Sequence, residues 1–137
     1  MNREEIKKLI PHREPMLLVD QAEVIDGVAY GSYQVTGDEW FLKGHFPGNP
    51  VVPGVILCEI MAQSACVLLA SEDADGATPY FTSLDKVRFR HPVKPGDLLR
   101  IECRLTKAKK PFYFAAGQAF VGDTLCAGAE FSFALQK

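Results

Sequence analysis

The stretch Pro53-Gly54-Val55-Ile56-Leu57-Cys58-Glu59-Ile60-Met61-Ala62-Gln63-Ser64-Ala65-Cys66-Val67-Leu68-Leu69-Ala70-Ser71 decides the fold. Its punctuation predicts a helix that opens at Pro53-Gly54 and runs to about Ser71, with Glu72-Asp73-Ala74-Asp75-Gly76 as a polar exit. Apolar residues fall on nearly every side of that helix, whereas a surface helix keeps a polar face. A lone helix of this kind needs apolar surface all around it. A curved sheet wrapped about it supplies that surface, and a helix segregated from the strands is the α+β pattern.

The flanking sequence provides the strands. Before the helix, Glu4 to Ile10 reads as a short opening helix stopped by Pro11. Met16 to Ile25 and Val28 to Thr36 then read as strands joined at Asp26-Gly27, a two-residue hairpin signal. After the helix, Val87 and Phe89 alternate with Lys86, Arg88 and Arg90. Leu99, Ile101, Cys103 and Leu105 alternate with Arg100, Glu102, Arg104 and Thr106. Phe112 to Val121 and Thr124 to Leu135 flank a second tight turn, Gly122-Asp123. In the last strand Leu125, Ala127, Ala129, Phe131, Phe133 and Leu135 are expected on one face. About four antiparallel strands thus follow the helix, with no internal repeat or linker, in one domain over residues 1–137.

Composition excludes several classes of protein. With 137 residues, 47% of them hydrophobic and 23% charged, the chain is neither disordered nor of low complexity. It is long enough to bury roughly 70% of its unfolded surface without disulfide or metal staples. The net charge of -2 disfavours nucleic acid as a partner. Charge is unevenly spread, however: Lys86 to Lys110 holds nine Lys or Arg against two Asp or Glu, a local +7. That stretch is either the solvated face of two amphipathic strands or a landing area for a small acidic partner. Cys58, Cys66, Cys103 and Cys126 show no metal-ligand spacing, and Cys58 and Cys66 read as small buried hydrophobes. The charged N-terminus lacks the apolar run of a signal peptide, and Val55 to Ala70 is too short to span a bilayer. A reducing cytoplasm is expected.

Chemistry concentrates around the start of the long helix. Gly37 to Gly54 holds four glycines and three prolines, a long constrained loop of the kind that is usually functional. Within it, His45 sits in Gly44-His45-Phe46-Pro47-Gly48-Asn49-Pro50-Val51-Val52-Pro53-Gly54. A stiff setting suits a residue that trades protons near neutral pH. The first N–H groups of the helix, at Gly54 and Val55, have no intrahelical partner and lie at its positive end. Glu59 sits among apolar neighbours, where desolvation favours its neutral acid, and Gln63 shares its helical face four residues on. Taken alone, Glu59 and Gln63 could equally be a pair that satisfies a helix contact. Base, acid and oxyanion-type donors within fifteen residues favour catalysis instead.

Three blocks of the chain resemble one family. Gly44-His45-Phe46-Pro47-Gly48, Pro53-Gly54-Val55 and Glu59 with Met61-Ala62-Gln63 are similar to the active-site signature of (3R)-3-hydroxyacyl-acyl-carrier-protein dehydratases, including the fourteen-residue interval from His45 to Glu59. Ile10-Pro11-His12-Arg13-Glu14-Pro15-Met16-Leu17-Leu18-Val19-Asp20 resembles the family's opening motif. Asp85-Lys86-Val87-Arg88-Phe89-Arg90, with Pro92-Val93 and Pro95-Gly96-Asp97, resembles its third block. The likeness covers essentially the whole chain. It implies a hot-dog fold, dimers whose sheets join, and often a hexamer built as a trimer of dimers. It further implies that His45 of one protomer faces Glu59 of the other. By the same analogy His45 is the base, Glu59 the acid, Gly54 N–H with Val55 the carbonyl donor, and Gln63 the residue orienting Glu59 or the departing water. No metal is implied, since hydrogen bonds alone activate the carbonyl, and no bound cofactor, the substrate being carried on the phosphopantetheine of acyl carrier protein. The related dehydratase-isomerases carry Asp where this chain has Glu59, which favours the plain dehydratase.

On this resemblance the basic stretch becomes a docking surface for acyl carrier protein, with Arg88, Arg90 and Lys94 as candidates. His12 is expected to serve structural hydrogen bonding, His91 to sit at an exposed edge, and Trp40 and Phe41 to pack. Two rivals remain, because fold alone does not decide function. One is a hot-dog acyl thioesterase, against which His45 in the Gly-Pro loop argues. The other is a non-catalytic acyl-thioester binding protein, against which the presence of both His45 and Glu59 argues.

Overall fold

The computed structural model describes residues 1–71 and 77–136, so the expected polar exit at Glu72 to Gly76 lies outside the described residues. The chain runs α1 (Arg3–Ile6), β1 (Gln21–Ile25), β2 (Val28–Gln34), α2 (Gly54–Cys66), β3 (Thr78–Phe89), β4 (Leu98–Lys109), β5 (Phe112–Val121) and β6 (Thr124–Gln136). The strands form one antiparallel sheet in the order β1-β2-β4-β5-β6-β3. Helix α2 lies on it, packed against β2, β4, β5 and β6, and this helix held in a curved sheet is the hot-dog fold that the sequence led us to expect.

Burial explains the arrangement. From Ile56 to Cys66 every residue of α2 except Glu59 is buried, so no side of the helix faces bulk water over that length. It meets Leu99, Ile101 and Cys103, which alternate inward along β4 as their spacing predicts. Close approach is possible partly because β2 carries Gly31. A Cβ there would lie 2.5 Å from Ser64 Oγ and 3.1 Å from Ser64 Cβ, so any larger residue would have to force the Ser64 side chain aside. Both tight turns form where the sequence places them. At the first, Asp26 and Gly27 both take positive φ, which is what a two-residue hairpin with the native strand twist requires.

Register irregularities bend the sheet around the helix. They occur in β3 between Phe81 and Ser83 and between Asp85 and Arg88, and in β4 between Leu105 and Lys107. Extra residues of this kind kink a strand and raise its twist. Another break in β6 lets Cys126 turn inward beside Ala127, while Leu125 and Leu135 are only half-buried at the ends of the expected apolar face.

Several boundaries differ from the sequence reading. Helix α1 covers Arg3–Ile6 rather than reaching Ile10; tighter turns at Lys8 and Leu9 close the segment ahead of Pro11. The predicted strand from Met16 begins only at Gln21. Leu17, Leu18 and Val19 are buried, but Leu18 N–H donates to the Gln63 side chain instead of a neighbouring strand. Beyond Cys66 the long helix tightens into a 3-10 turn, Val67–Ser71. Strand β3 also begins earlier than the Val87 pattern suggests. Among the described residues its far edge is unpaired, and the strand exposes Tyr80, Phe81, Leu84 and Phe89.

Candidate active site

The loop before α2 holds His45 through its own main chain. A 3-10 turn at Trp40–Leu42 buries Phe41 and Leu42, while Trp40 stays exposed and donates its indole N–H to Pro15 O at 3.3 Å. Packing is thus the role of Phe41 but only partly that of Trp40. His45 N–H donates to Leu42 O at 3.2 Å, and Val51 N–H returns to His45 O at 3.2 Å. Val52 N–H donates to Val93 O at 2.8 Å, which ties the loop to the segment after β3.

The ring of His45 has a defined polarity. Its Nδ1 lies 3.1 Å from Val51 O, and a carbonyl can only accept, so Nδ1 carries the proton. The lone pair is therefore on Nε2, and the ring face stacks on Phe46 with centroids 4.2 Å apart. A cavity of about 580 Å³ opens beside this ring, within the range that holds small ligands. Its lining includes His45, Pro53, Gly54, Val55, Leu57 and Phe89.

The free helix end is part of the same cavity. Among the described residues, no protein acceptor receives the N–H of Gly54 or Val55, and Val55 is 71% exposed. Pro53, just before them, caps the helix with an extended backbone and no side-chain hydrogen bond. Glycine at position 54 has a specific steric reason. A Cβ there would lie 2.8 Å from Cζ of Phe89, so only a bare Cα lets that ring cover the helix start.

Glu59 stands elsewhere. It is not among the residues lining the His45 cavity. At 100° per residue, the five steps from Gly54 rotate it roughly 140° around the helix axis. Its Oε2 accepts from Gln63 Nε2 at 2.8 Å. Gln63 is fully buried and held on three sides: it also donates to Met16 O at 2.7 Å and accepts from Leu18 N–H at 2.8 Å. Burial pushes the Glu59 carboxyl above its ordinary range, and the Gln63 hydrogen bond only partly offsets this. A single chain therefore pairs Glu59 with Gln63, as expected, but does not bring His45 and Glu59 onto one cavity.

The structure adds a neighbour that sequence reasoning assigned to scaffolding. His12 Nε2 lies 3.6 Å from Glu59 Oε2. A histidine in the opening motif was the only local signal, since no periodicity relates residue 12 to a helix 47 positions away. Of the remaining candidates, Arg88 and Arg90 are exposed along a groove on the sheet with Lys86 and Arg104, and Arg90 also reaches the His45 cavity. Lys94 is exposed but lines neither. His91 is exposed as expected and also borders the cavity. All four cysteines are buried and unpaired. Among the described residues there is no cluster of metal-ligating side chains, and no helix is long and apolar enough to cross a membrane.

Comparison with known proteins gives this geometry a family. The model of the FabA-like domain matches residues 10–130. The chain is 43% identical to the 3-hydroxyacyl-acyl-carrier-protein dehydratase FabZ of Alkaliphilus metalliredigens, covering 98% of this chain and 94% of that one. It is 44% identical to the protein of the same name from Natranaerobius thermophilus, covering 96% and 94%. Among solved structures, a chain of the dehydratase heterocomplex ApeI:P from Xenorhabdus doucetiae superposes with a TM-score of 0.83 at 22% identity, covering 96% and 91%. A putative thioesterase from Ralstonia eutropha, related to phenylacetic acid degradation, superposes at 0.66 and 23% identity, covering 83% of each chain. These two structural likenesses carry the fold alone. With the domain model spanning most of the sequence and relatives above 40% identity along nearly its whole length, the chain belongs to the FabA-like family, among its 3-hydroxyacyl-acyl-carrier-protein dehydratases.

Proposed function

We propose that His45 is the general base and Glu59 the general acid with which this chain dehydrates 3-hydroxyacyl-acyl-carrier-protein. The reaction removes water from the 3-hydroxyacyl thioester to leave the trans-2-enoyl thioester, a step of fatty acid biosynthesis. The observation that carries the assignment is the fixed tautomer of His45: Nδ1–H on Val51 O leaves Nε2 as a base beside the cavity.

Each step has a group suited to it. Nε2 of His45 takes the proton from C2, and negative charge develops on the thioester oxygen. The N–H of Gly54, with that of Val55 beside it, donates to this oxygen; one such donor is worth about 2.7–4 kcal/mol of barrier. The C3–O bond breaks, and its electron pair leaves with the hydroxyl, which takes the proton of Glu59 and departs as water. Gln63 holds Glu59 in place throughout. His45 ends protonated and Glu59 ionised, and proton exchange with solvent restores both. Base, acid and carbonyl donors are all supplied by the chain, so we assign no metal or bound cofactor to the reaction.

The acid and base meet across two copies in this reading. Glu59 faces away from the His45 cavity, and β3 offers an unpaired edge with exposed Tyr80, Phe81 and Leu84 on which a second sheet can continue. A homodimer is the smallest unit that completes the site, and a trimer of dimers would repeat it three times. Acyl carrier protein docks near the cavity mouth through Arg88, Arg90 and Lys94, of which Arg90 is best placed. Four unpaired thiols fit a reducing cytoplasm as the site of action.

The assay is incubation of the pure protein with (3R)-3-hydroxybutyryl-acyl carrier protein. Enoyl product that disappears in both His45→Ala and Glu59→Gln is the expected result. Mixing those two inactive variants should restore part of the activity, because a mixed dimer retains one intact composite site. Free acid as product would replace dehydration with thioester hydrolysis, and binding without turnover would remove catalysis altogether.

A further inference from the structure

Two side chains, not one, bear on the same oxygen of Glu59. Gln63 Nε2 donates to Oε2 at 2.8 Å, and His12 Nε2 approaches that same Oε2 at 3.6 Å from the opposite segment of the chain. The His12 side chain is 19% exposed, and its Nδ1 is buried with no hydrogen-bond partner among the described residues. An orphaned buried N–H is rarer and costlier than an unused lone pair. The proton of neutral His12 therefore sits on Nε2, the ring nitrogen 3.6 Å from Glu59 Oε2. A second proton would create the orphaned N–H on Nδ1, and burial with the nearby Arg13 guanidinium holds the ring below its ordinary range. His12 is thus a neutral donor rather than a cation.

We propose that His12 is a positioning residue for dehydration: its Nε2–H and the Gln63 amide both address Oε2 of Glu59, leaving Oε1 to carry the proton given to the departing hydroxyl. This rests on Glu59 being the acid. In the resting state Oε2 is the carbonyl oxygen of a neutral acid, and 3.6 Å is too long for a hydrogen bond. When the Oε1 proton passes to the hydroxyl, Oε2 becomes part of a carboxylate. A charge-assisted bond to it would be roughly 2.7–2.9 Å long, reached by a movement of under about 1 Å. His12 therefore helps most after the proton leaves, which is where an acid catalyst needs its conjugate base stabilised.

The other charged and titratable groups near Glu59 do not supply this. The thiols of Cys58 and Cys66, on the same helix, are held neutral by burial, with Glu59 itself a further cause. The Arg13 guanidinium is turned onto the carbonyls of Lys7, Ile10 and His12. Among the described residues, the donors facing the carboxyl are Gln63 and His12.

The test compares His12→Leu and His12→Gln with the parent dimer, with Glu59→Gln as reference. Steady-state kinetics on (3R)-3-hydroxybutyryl-acyl carrier protein are combined with a carboxyl-carbon NMR titration of Glu59. For His12→Leu we expect kcat to fall roughly ten- to hundredfold, the size of one charge-assisted hydrogen bond, with little change in KM. Its Glu59 midpoint should rise by about one pH unit. His12→Gln restores an N–H donor and should recover both values. A folded Leu variant with unchanged kcat and midpoint overturns the proposal, as does a Gln variant as impaired as Leu. If the Leu variant does not fold, His12→Asn, polar but too short to reach Oε2, replaces it under the same criteria. Full activity in Glu59→Gln would instead overturn the acid assignment itself, a separate failure.

Discussion

Gln63→Leu tests how the buried amide joins the opening segment to the central helix. The substitution keeps side-chain bulk and helix preference, so cavity and propensity effects are small. What it removes is three hydrogen bonds of 2.7–2.8 Å, to Met16 O, Leu18 N–H and Glu59 Oε2. Leu18 is 2% exposed, so water cannot replace the lost acceptor, and a buried orphaned N–H costs about 1–3 kcal/mol. Met16 O is only partly buried and recovers some solvation, so its lost bond adds about 1 kcal/mol. The sum is about 2–4 kcal/mol. At an unfolding entropy of about 2.1 cal/mol/K per residue, this lowers Tm by roughly 7–14 °C for this chain. Circular dichroism melts at one fixed protein concentration measure it, since subunit association also contributes to Tm.

Gln63→Glu separates the hydrogen bonds from the volume. The introduced carboxyl, while neutral, accepts from Leu18 N–H and donates one proton, so this variant loses one bond rather than three. Burial raises the pKa of that new carboxyl, so the folded state binds more protons than the unfolded one above the ordinary carboxyl range. Stability then falls as pH rises, and the deficit should be small near about pH 5 and grow toward neutrality. A Leu variant melting within about 2 °C of the parent would refute the hydrogen-bond account, because the predicted loss is several times larger. Identical pH behaviour of the Leu and Glu variants would do the same.

Further outcomes follow from the same geometry. Glu59 has a raised folded-state pKa, so it destabilises the fold increasingly as pH climbs above the ordinary carboxyl value of 4.5; Glu59→Gln should melt higher than the parent at neutral pH, and this gap should close on acidification. Gly54→Ala forces Phe89 aside and should lower kcat/KM while shifting stability by less than about 1 kcal/mol, because the exposed ring can move. Adding Phe89→Ala should recover activity relative to Gly54→Ala alone, and strictly additive losses would count against the steric account. Reversing Arg88 and Arg90 to Glu should raise KM for the carrier-linked substrate and spare a small thioester; equal effects on both would remove these residues from docking.

The long helix and its strands were legible because burial leaves a local signature. Apolar residues on every side of Val55 to Leu69 announce a helix that must be enclosed, and the alternation from Leu99 to Leu105 announces one buried sheet face. The turns at Asp26-Gly27 and Gly122-Asp123 were legible because a two-residue hairpin needs residues that tolerate positive φ. His45, Gly54, Glu59 and Gln63 stood out for the same local reason, as chemistry-bearing residues in a stiff loop and an apolar helix.

Only packing could decide who faces whom. Met16 to Asp20 is as apolar as a strand, yet Leu18 gives its N–H to Gln63, 45 residues away, so β1 starts only at Gln21. His12 reads as a loop residue until the opening segment lays it against Glu59. The turn of the helix then places Glu59 on the side away from the His45 cavity, so proximity in sequence did not become proximity in one chain. Periodicity records whether a side chain is inside, because that depends on its own face. The identity of its neighbour depends on how distant segments are stacked, and that information exists only once the chain has folded.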